Sequence, residues 1–206
     1  MAKRSRSSGA TGARGRPGSP RARLFVALEP SEADRASLAA WRDEVVSGRD
    51  DLRPVAAATL HLTLAFLGYL PEKKIDLVAA TAFARIAGAG AAELRPLAVV
   101  PVPKRGPRLF ALDLEDPGGA AGAIQAAVVE SLAAERLHTP EKRVWWPHVT
   151  LARVKRHVRA EPLEADPPPG PVVATQVTLY RSILRPQGAL YEPLAVHRLD
   201  SAPPEE

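Results

Sequence analysis

The chain has 206 residues, 46% of them hydrophobic and 25% charged, a balance typical of one globular domain or of two small lobes. It contains no cysteine, which excludes disulfides and thiolate metal sites. No apolar run approaches the roughly 20 residues that span a bilayer, and the basic N-terminus lacks the apolar stretch of a secretory signal. These features predict a soluble cytoplasmic protein without membrane contact.

The net charge of +5 comes from the N-terminus. Residues 1–23 contain seven basic and no acidic side chains, and the remaining 21 basic residues stand against 23 acidic ones. Any phosphate site in the rest of the chain must therefore be local. Residues 1–21 have almost nothing to bury and are predicted to be a disordered basic tail. We expect a folded domain over 22–199 and a second disordered tail over 200–206.

The first elements are a strand and a helix. Residues 23–28 form a short apolar run that is typical of a buried strand. Ser31 is a candidate N-cap, and Leu38, Trp41 and Val45 recur at the spacing of one helix face.

A strand with two distinct faces is predicted over residues 59–67. Its apolar face comprises Leu60, Leu62, Leu64 and Phe66, while Thr59, His61, Thr63 and Ala65 share the other face. Gly68 is expected to end the strand.

The remaining elements alternate between helices and strands. Helices are predicted over 71–86 and 120–137, on either side of two strands over 94–102 and 108–114. A second alternating strand follows, in which His148, Thr150 and Ala152 share one face. A hairpin with strands over 172–184 and 189–199, turning at 185–188, closes the chain.

The histidine strands carry the chemistry. His61-Leu62-Thr63 and His148-Val149-Thr150 are 87 residues apart, which is close to half of the predicted domain. In a strand, residues i and i+2 point to one side, so two facing lobes bring together two imidazoles and two hydroxyls. One imidazole can accept a proton from water, the other can protonate a leaving oxygen, and hydroxyls can bind phosphate oxygens. A single His-x-Thr triplet is more often structural, but two copies on similar lobes favour catalysis without a metal or cofactor.

The chain resembles the two-histidine phosphoesterase superfamily, and within it the RNA 2′,3′-cyclic phosphodiesterases of bacteria and archaea, also called 2′-5′ RNA ligases. The resemblance covers roughly residues 22–199. It rests on segments 23–28, 60–68, 147–153 and 179–182, and on Gly188, Tyr191 and Glu192.

This resemblance implies an α+β fold of two pseudo-symmetric lobes, each an antiparallel sheet with helices packed outside, around an active cleft. It implies hydrolysis of a terminal 2′,3′-cyclic phosphate of RNA to a 2′-phosphate. In the family's order, His61 is the proton donor and His148 the proton acceptor, while Thr63 and Thr150 hold the phosphate.

Three further residues match family positions near the cleft. Arg153, Tyr180 and Arg181 are candidates for contacts with substrate, and Tyr180 and Arg181 can equally serve packing or pairing at a strand end. Family members often carry tryptophan where this chain has Pro54, which leaves base preference open.

Other histidines, His138, His157 and His197, have no motif partner and are expected to be structural. Of the adjacent Trp145 and Trp146, one should point inward and one outward. The partner is expected to be RNA ends or nucleotides with a 2′,3′-cyclic phosphate, and the protein to be a monomer without an obligate protein partner. Two alternatives stay open: 2′-5′ ligation or turnover of small cyclic nucleotides at the same site, and a nucleotide- or RNA-binding module without turnover.

Overall fold

The computed structural model describes residues 19–185 and 188–200. Within them the chain forms eight β-strands, three α-helices and two short 3-10 turns at Ala57–Thr59 and Glu72–Lys74. In chain order the elements are β1 (Arg21–Pro30), α1 (Glu32–Val45), β2 (Leu52–Pro54), β3 (Leu62–Pro71), α2 (Ile75–Phe83), β4 (Ala92–Val102), β5 (Leu109–Glu115), α3 (Ala120–Ala134), β6 (His148–Val154), β7 (Val172–Arg185) and β8 (Gly188–Arg198).

The strands form two antiparallel halves. In the first half, β3 pairs with β1, β1 with β7, and β7 with β8. In the second half, β2 pairs with β6, β6 with β5, and β5 with β4. The unit strand–helix–histidine strand occurs once in each half, as β1–α1–β3 and as β5–α3–β6. This is the predicted α+β architecture of two related lobes.

The halves are joined at two places. At one end, Leu62 of β3 pairs with Val149 of β6. At the other end, three residues of β4 pair with three of β7, from Ala92 opposite Ala174 to Leu94 opposite Val172. Without β8 and β2, the strand orders of the halves are β3–β1–β7 and β6–β5–β4. The junctions join equivalent strands, so the two halves are related by an approximate twofold symmetry.

The helices cover the sheet on the face opposite the histidines. Helix α1 begins as predicted, with the Ser31 hydroxyl accepting a hydrogen bond from the Asp34 amide, and it buries Leu38. Helices α2 and α3 pack against each other and bury Val78 and Val128 against the sheet. One hydrophobic core is continuous across both halves, so the two lobes are parts of one folding unit.

Each histidine strand contains a β-bulge, so the predicted alternation of faces is wrong beyond it. Strand β3 skips Leu64 between Thr63, opposite Ala27, and Ala65, opposite Val26. As a result Ala65 is buried in the core, and Phe66, predicted on the buried face, is 53% exposed on the His61 side.

Strand β6 has the equivalent bulge. It skips Leu151 between Thr150, opposite Ala111, and Ala152, opposite Phe110. Ala152, predicted beside His148 and Thr150, is therefore fully buried on the opposite face. An extra residue in one strand shifts the face assignment of every residue beyond it.

Element boundaries differ from the prediction at several points. Thr59 lies in a 3-10 turn, β3 continues past Gly68 to Pro71, and the two predicted helices end earlier, at Phe83 and Ala134. Strand β1 starts at Arg21, which pairs with Pro71, and Asp200 bridges Gly90, so the folded part extends one residue beyond each end of 22–199. The predicted tail residues 1–18 and 201–206, and residues 186 and 187 of the predicted turn, lie outside the described residues.

Candidate active site

The junction between β3 and β6 brings the two motifs together. The paired residues, Leu62 and Val149, are the ones that follow the two histidines. In an antiparallel register this pairing directs His61 towards Thr150 and His148 towards Thr63. All four side chains line one cavity of about 350 Å³, which lies within the size range of small-molecule sites.

The two histidines make matching hydrogen bonds. Nδ1 of His61 lies 2.7 Å from the carbonyl oxygen of Thr59, and Nδ1 of His148 lies 2.9 Å from that of Trp146. A carbonyl oxygen only accepts, so each Nδ1 carries the proton and donates it two residues back along the chain. Both neutral rings therefore keep the lone pair of Nε2 for chemistry in the cleft.

His61 is enclosed by aromatic rings. Its ring centroid lies 5.2 Å from that of Phe25, which is 2% exposed, and 5.5 Å from that of Tyr191. Burial lowers the pKa of His61 to about 4, although the hydrogen bond to Thr59 and the charge of Glu29 act in the opposite direction. With this lowered pKa, His61 is neutral at pH 7.

His148 has a more open environment. Burial again lowers its pKa, opposed by the hydrogen bond to Trp146 and by the charge of Asp113. It lines the cavity and also a neighbouring groove of about 870 Å³ along α3.

The threonines lie between the imidazoles. The Thr63 hydroxyl is 3.3 Å from Nε2 of His61, and the half-buried Thr150 faces the same cavity. Two hydroxyls and two Nε2 atoms thus converge on one small space. An anion with several oxygens can accept hydrogen bonds from the hydroxyls and exchange protons with the rings.

Comparison with known proteins is consistent with this geometry. A model of the family described as the 2′-5′ RNA ligase superfamily matches residues 29–183. The chain belongs to this superfamily.

Two relatives carry the name RNA 2′,3′-cyclic phosphodiesterase. The protein from Aeropyrum pernix is 32% identical over 169 residues, which is 76% of this chain and 92% of that protein. The protein from Thermus thermophilus is 33% identical over 174 residues, or 82% and 86% of the two chains. A crystal structure of E. coli LigT complexed with 3′-AMP superposes with a TM-score of 0.71 and 26% identity, covering 87% of this chain and 99% of that one. The predicted family and fold class are confirmed.

The bulges bring one further residue from each histidine strand to the cavity. Phe66 and Arg153, each five residues after a histidine, both line the cavity. Arg153 was a candidate from the family resemblance. Phe66 was not predicted, because strict alternation assigns it to the core. The only sequence signal is its equivalent spacing from its histidine.

The other two candidate substrate contacts lie elsewhere. Tyr180 stacks on Phe25, with centroids 5.2 Å apart, and its hydroxyl donates to the carboxylate of Glu29 over 2.8 Å. It therefore supports the wall behind His61 and is not among the residues that line the cavity. Arg181 is also absent from the lining, since its guanidinium lies 3.5 Å from Glu72 and 3.4 Å from Glu192 in ion pairs.

Several lining residues were not predicted. Arg53 of β2, Leu109 of β5 and Tyr191 of β8 all reach the cavity. The Arg53 guanidinium also lies beside Gly188, where a Cβ added to the glycine would be 3.6 Å from the guanidinium nitrogens. These residues lie on three different elements, so no local sequence pattern could have linked them to the histidines.

The tryptophan pair is divided as predicted. Trp145 packs on the core, with its Nε1 donating to the Thr63 carbonyl over 2.9 Å. Trp146 is 36% exposed and stacks on His148.

The three remaining histidines do not line the cavity that holds the motif residues. His157 is exposed. His197 stacks on Phe83 in contact with the Ile86 carbonyl, and His138 lines the groove along α3. Within residues 19–185 and 188–200, no three His, Asp or Glu side chains are grouped closely enough to hold a metal ion. In the same part of the chain, no helix combines the length and apolar character needed to cross a membrane.

Proposed function

We propose that this protein hydrolyses the 2′,3′-cyclic phosphate at the 3′ end of RNA to a 2′-phosphomonoester. The observation that carries the proposal is the pair of histidines, each fixed through Nδ1 and each directing Nε2 into one cavity that also holds two threonine hydroxyls. Two relatives with the name RNA 2′,3′-cyclic phosphodiesterase support it.

The reaction needs two proton transfers. His148 accepts a proton from water as the water oxygen attacks phosphorus, and the bond between phosphorus and the ribose 3′ oxygen breaks. His61 donates a proton to that leaving oxygen, and the phosphate remains on the 2′ oxygen. Both protons are handled by imidazoles, so the scheme requires no metal ion. The order of donor and acceptor follows the family resemblance.

The low pKa of His61 requires that substrate supplies part of the driving force for its protonation. Burial disfavours the imidazolium. A bound phosphate places a negative charge beside the ring, which favours the protonated form. We therefore propose that His61 gains its proton when the anionic substrate enters the cleft.

The remaining cavity residues fit the other parts of an RNA end. Thr63, Thr150 and the guanidinium of Arg153 are donors for the non-bridging phosphate oxygens, where charge develops in the transition state. Phe66, with half of its ring exposed at the cavity, presents a surface for stacking by the terminal base.

A second candidate is turnover of small nucleotide cyclic phosphates. The cavity of about 350 Å³ is small, and the similar E. coli structure contains 3′-AMP. In 2′-5′ ligation, a 5′-hydroxyl takes the place of water at the same site. Both alternatives use the same histidines and differ only in the attacking group or in the length of the substrate.

We further propose that the protein works as a cytoplasmic monomer. One chain supplies both halves of the site, and the absence of cysteine suits a reducing compartment.

The proposal is tested with a short end-labelled RNA that carries a 2′,3′-cyclic phosphate, and with the matching nucleoside 2′,3′-cyclic phosphate. The products are compared with authentic 2′- and 3′-phosphate standards. We expect conversion of the RNA to the 2′-phosphate, with a higher kcat/KM than for the nucleoside. Intact ends, or a 3′-phosphate product, would contradict the proposal, and faster turnover of the nucleoside would favour the second candidate.

A further inference from the structure

Trp146 contacts both His148 and an acidic side chain. The indole and imidazole rings are stacked, with centroids 4.0 Å apart and planes inclined by 13°. At the edge of the indole, Nε1 of Trp146 donates to Oδ1 of Asp113 over 2.6 Å. The Trp146 carbonyl also accepts the hydrogen bond from Nδ1 of His148. Trp146 thus holds His148 at two points, by its ring and by its backbone.

Asp113 and His148 are also linked through the backbone of the sheet. Asp113 of β5 is the direct cross-strand partner of His148 in β6. The carboxylate that fixes the indole is therefore itself fixed relative to the histidine backbone. Since the indole cannot shift without breaking the bond to Asp113, the plane of the imidazole is defined.

His148 needs such a support more than His61 does. His61 is confined by Phe25 and Tyr191. His148 instead borders the groove of about 870 Å³ along α3, which Trp146 also lines. Without the indole, the imidazole would have open space into which it can rotate.

We propose that Trp146 is a positioning residue for His148, whose indole, anchored on Asp113, keeps the imidazole in the orientation and tautomer that present Nε2 to the cleft. The kinetic part of this inference rests on the proposed function, but the orientation of the ring does not. Charged and titratable groups around His148 include Asp113 from β5, Arg143 from the segment before β6, and His61 just before β3. Arg53 of β2 and Arg153 of β6 line the same cavity.

The direct test is ¹⁵N NMR of the histidine side chains in the unliganded protein above pH 8, where the His148 ring is neutral because burial lowers its pKa. The variants are Trp146→Leu, Trp146→Phe and Asp113→Ala. Tyr69→Leu is the matched control, because Tyr69 is another exposed aromatic residue, 56% accessible, far along β3 from the motif.

In wild type and Tyr69→Leu, His148 should show one tautomer, protonated at Nδ1, whereas Trp146→Phe, which keeps a ring but loses the bond to Asp113, should show a mixture with the Nε2-protonated form. In Trp146→Leu and Asp113→Ala, we expect a mixture with the Nε2-protonated form. A single Nδ1 tautomer in both of the latter variants overturns the inference. If Trp146→Leu does not fold, the tautomer of His148 in Asp113→Ala alone tests the inference.

Kinetics on the cyclic phosphate RNA give a second readout. Trp146→Leu should lower kcat roughly tenfold or more with little change in KM, because a misoriented catalytic group costs up to ~10²-fold. A rise in KM at unchanged kcat would show that Trp146 contacts substrate, and would overturn the inference. If wild type does not hydrolyse the RNA, the proposed function fails, and the NMR result still decides the role of Trp146.

Discussion

Replacing Tyr180 by Phe separates a structural role of this residue from a role in substrate binding. The hydroxyl donates over 2.8 Å to Glu29, whose carboxylate is almost completely buried. A hydrogen bond to a charged group contributes about 1.5–3 kcal/mol, and Glu29 keeps its ion pair with Arg35. The Phe side chain also keeps the stacking on Phe25. We therefore expect the free energy of unfolding to fall by about 2 kcal/mol, which lowers Tm by about 4–8 °C in a protein of this size.

The measurement is urea denaturation followed by circular dichroism, with Tyr69→Phe as the control. Because Tyr69 is exposed, its substitution should change the unfolding free energy by less than about 0.5 kcal/mol. Activity of Tyr180→Phe should stay close to wild type at temperatures where the variant is folded. Wild-type stability of Tyr180→Phe, or a large loss of turnover in the fully folded variant, would refute this assignment.

Three further predictions concern the cleft itself. Arg153→Ala should lower kcat on a cyclic phosphate RNA by about 10²-fold. Arg153→Lys should restore little of the rate, because lysine lacks the two parallel N–H donors of a guanidinium. Equal rates for wild type and both variants would exclude a phosphate contact. Phe66→Ala should weaken binding of an RNA 2′-phosphate by about 1–3 kcal/mol in a fluorescence titration, while unchanged affinity would exclude base stacking. Burial lowers the pKa of His61 to about 4, so NMR should find its titration near pH 4 in the free protein and at higher pH with bound phosphate. The unfolded chain binds this proton at higher pH than the folded one, so the free energy of unfolding should fall as the pH drops from about 6.5 towards 4. His61→Gln should reduce this pH dependence. An equal change of unfolding free energy with pH in both proteins would contradict the lowered pKa of His61.

The sequence was sufficient to predict the two histidine strands and the convergence of their motifs on one space. Each motif spans three consecutive residues, and alternation places His61 with Thr63, and His148 with Thr150, because no bulge falls between them. The Ser31 cap and the β7–β8 hairpin are local signals of the same kind.

The sheet faces of the residues that follow Thr63 and Thr150 could not be predicted from alternation. The bulges at Leu64 and Leu151 depend on how β1 and β5 pair with the histidine strands, and such pairing is a property of the fold. They move Ala65 and Ala152 into the core and bring Phe66 and Arg153 to the cavity.

Long-range contacts explain the other differences. Family positions placed Tyr180 and Arg181 near the cleft, but only the fold shows Glu29 behind Tyr180, and Glu72 and Glu192 beside Arg181. The stacking of Trp146 on His148 likewise depends on Asp113 in another strand.

The central claim is that His61 and His148 are the two proton-transfer groups. It is tested by hydrolysis of one RNA ending in a 2′,3′-cyclic phosphate, in excess chelator, by wild type, His61→Ala, His148→Ala and His157→Asn, in which His157 serves as an exposed control. We predict that wild type and His157→Asn form the 2′-phosphate at equal rates, and that each of the other two variants is slower by at least ~10²-fold. If either His61→Ala or His148→Ala matches wild type, or if chelator abolishes the wild-type activity, the two-histidine mechanism is wrong.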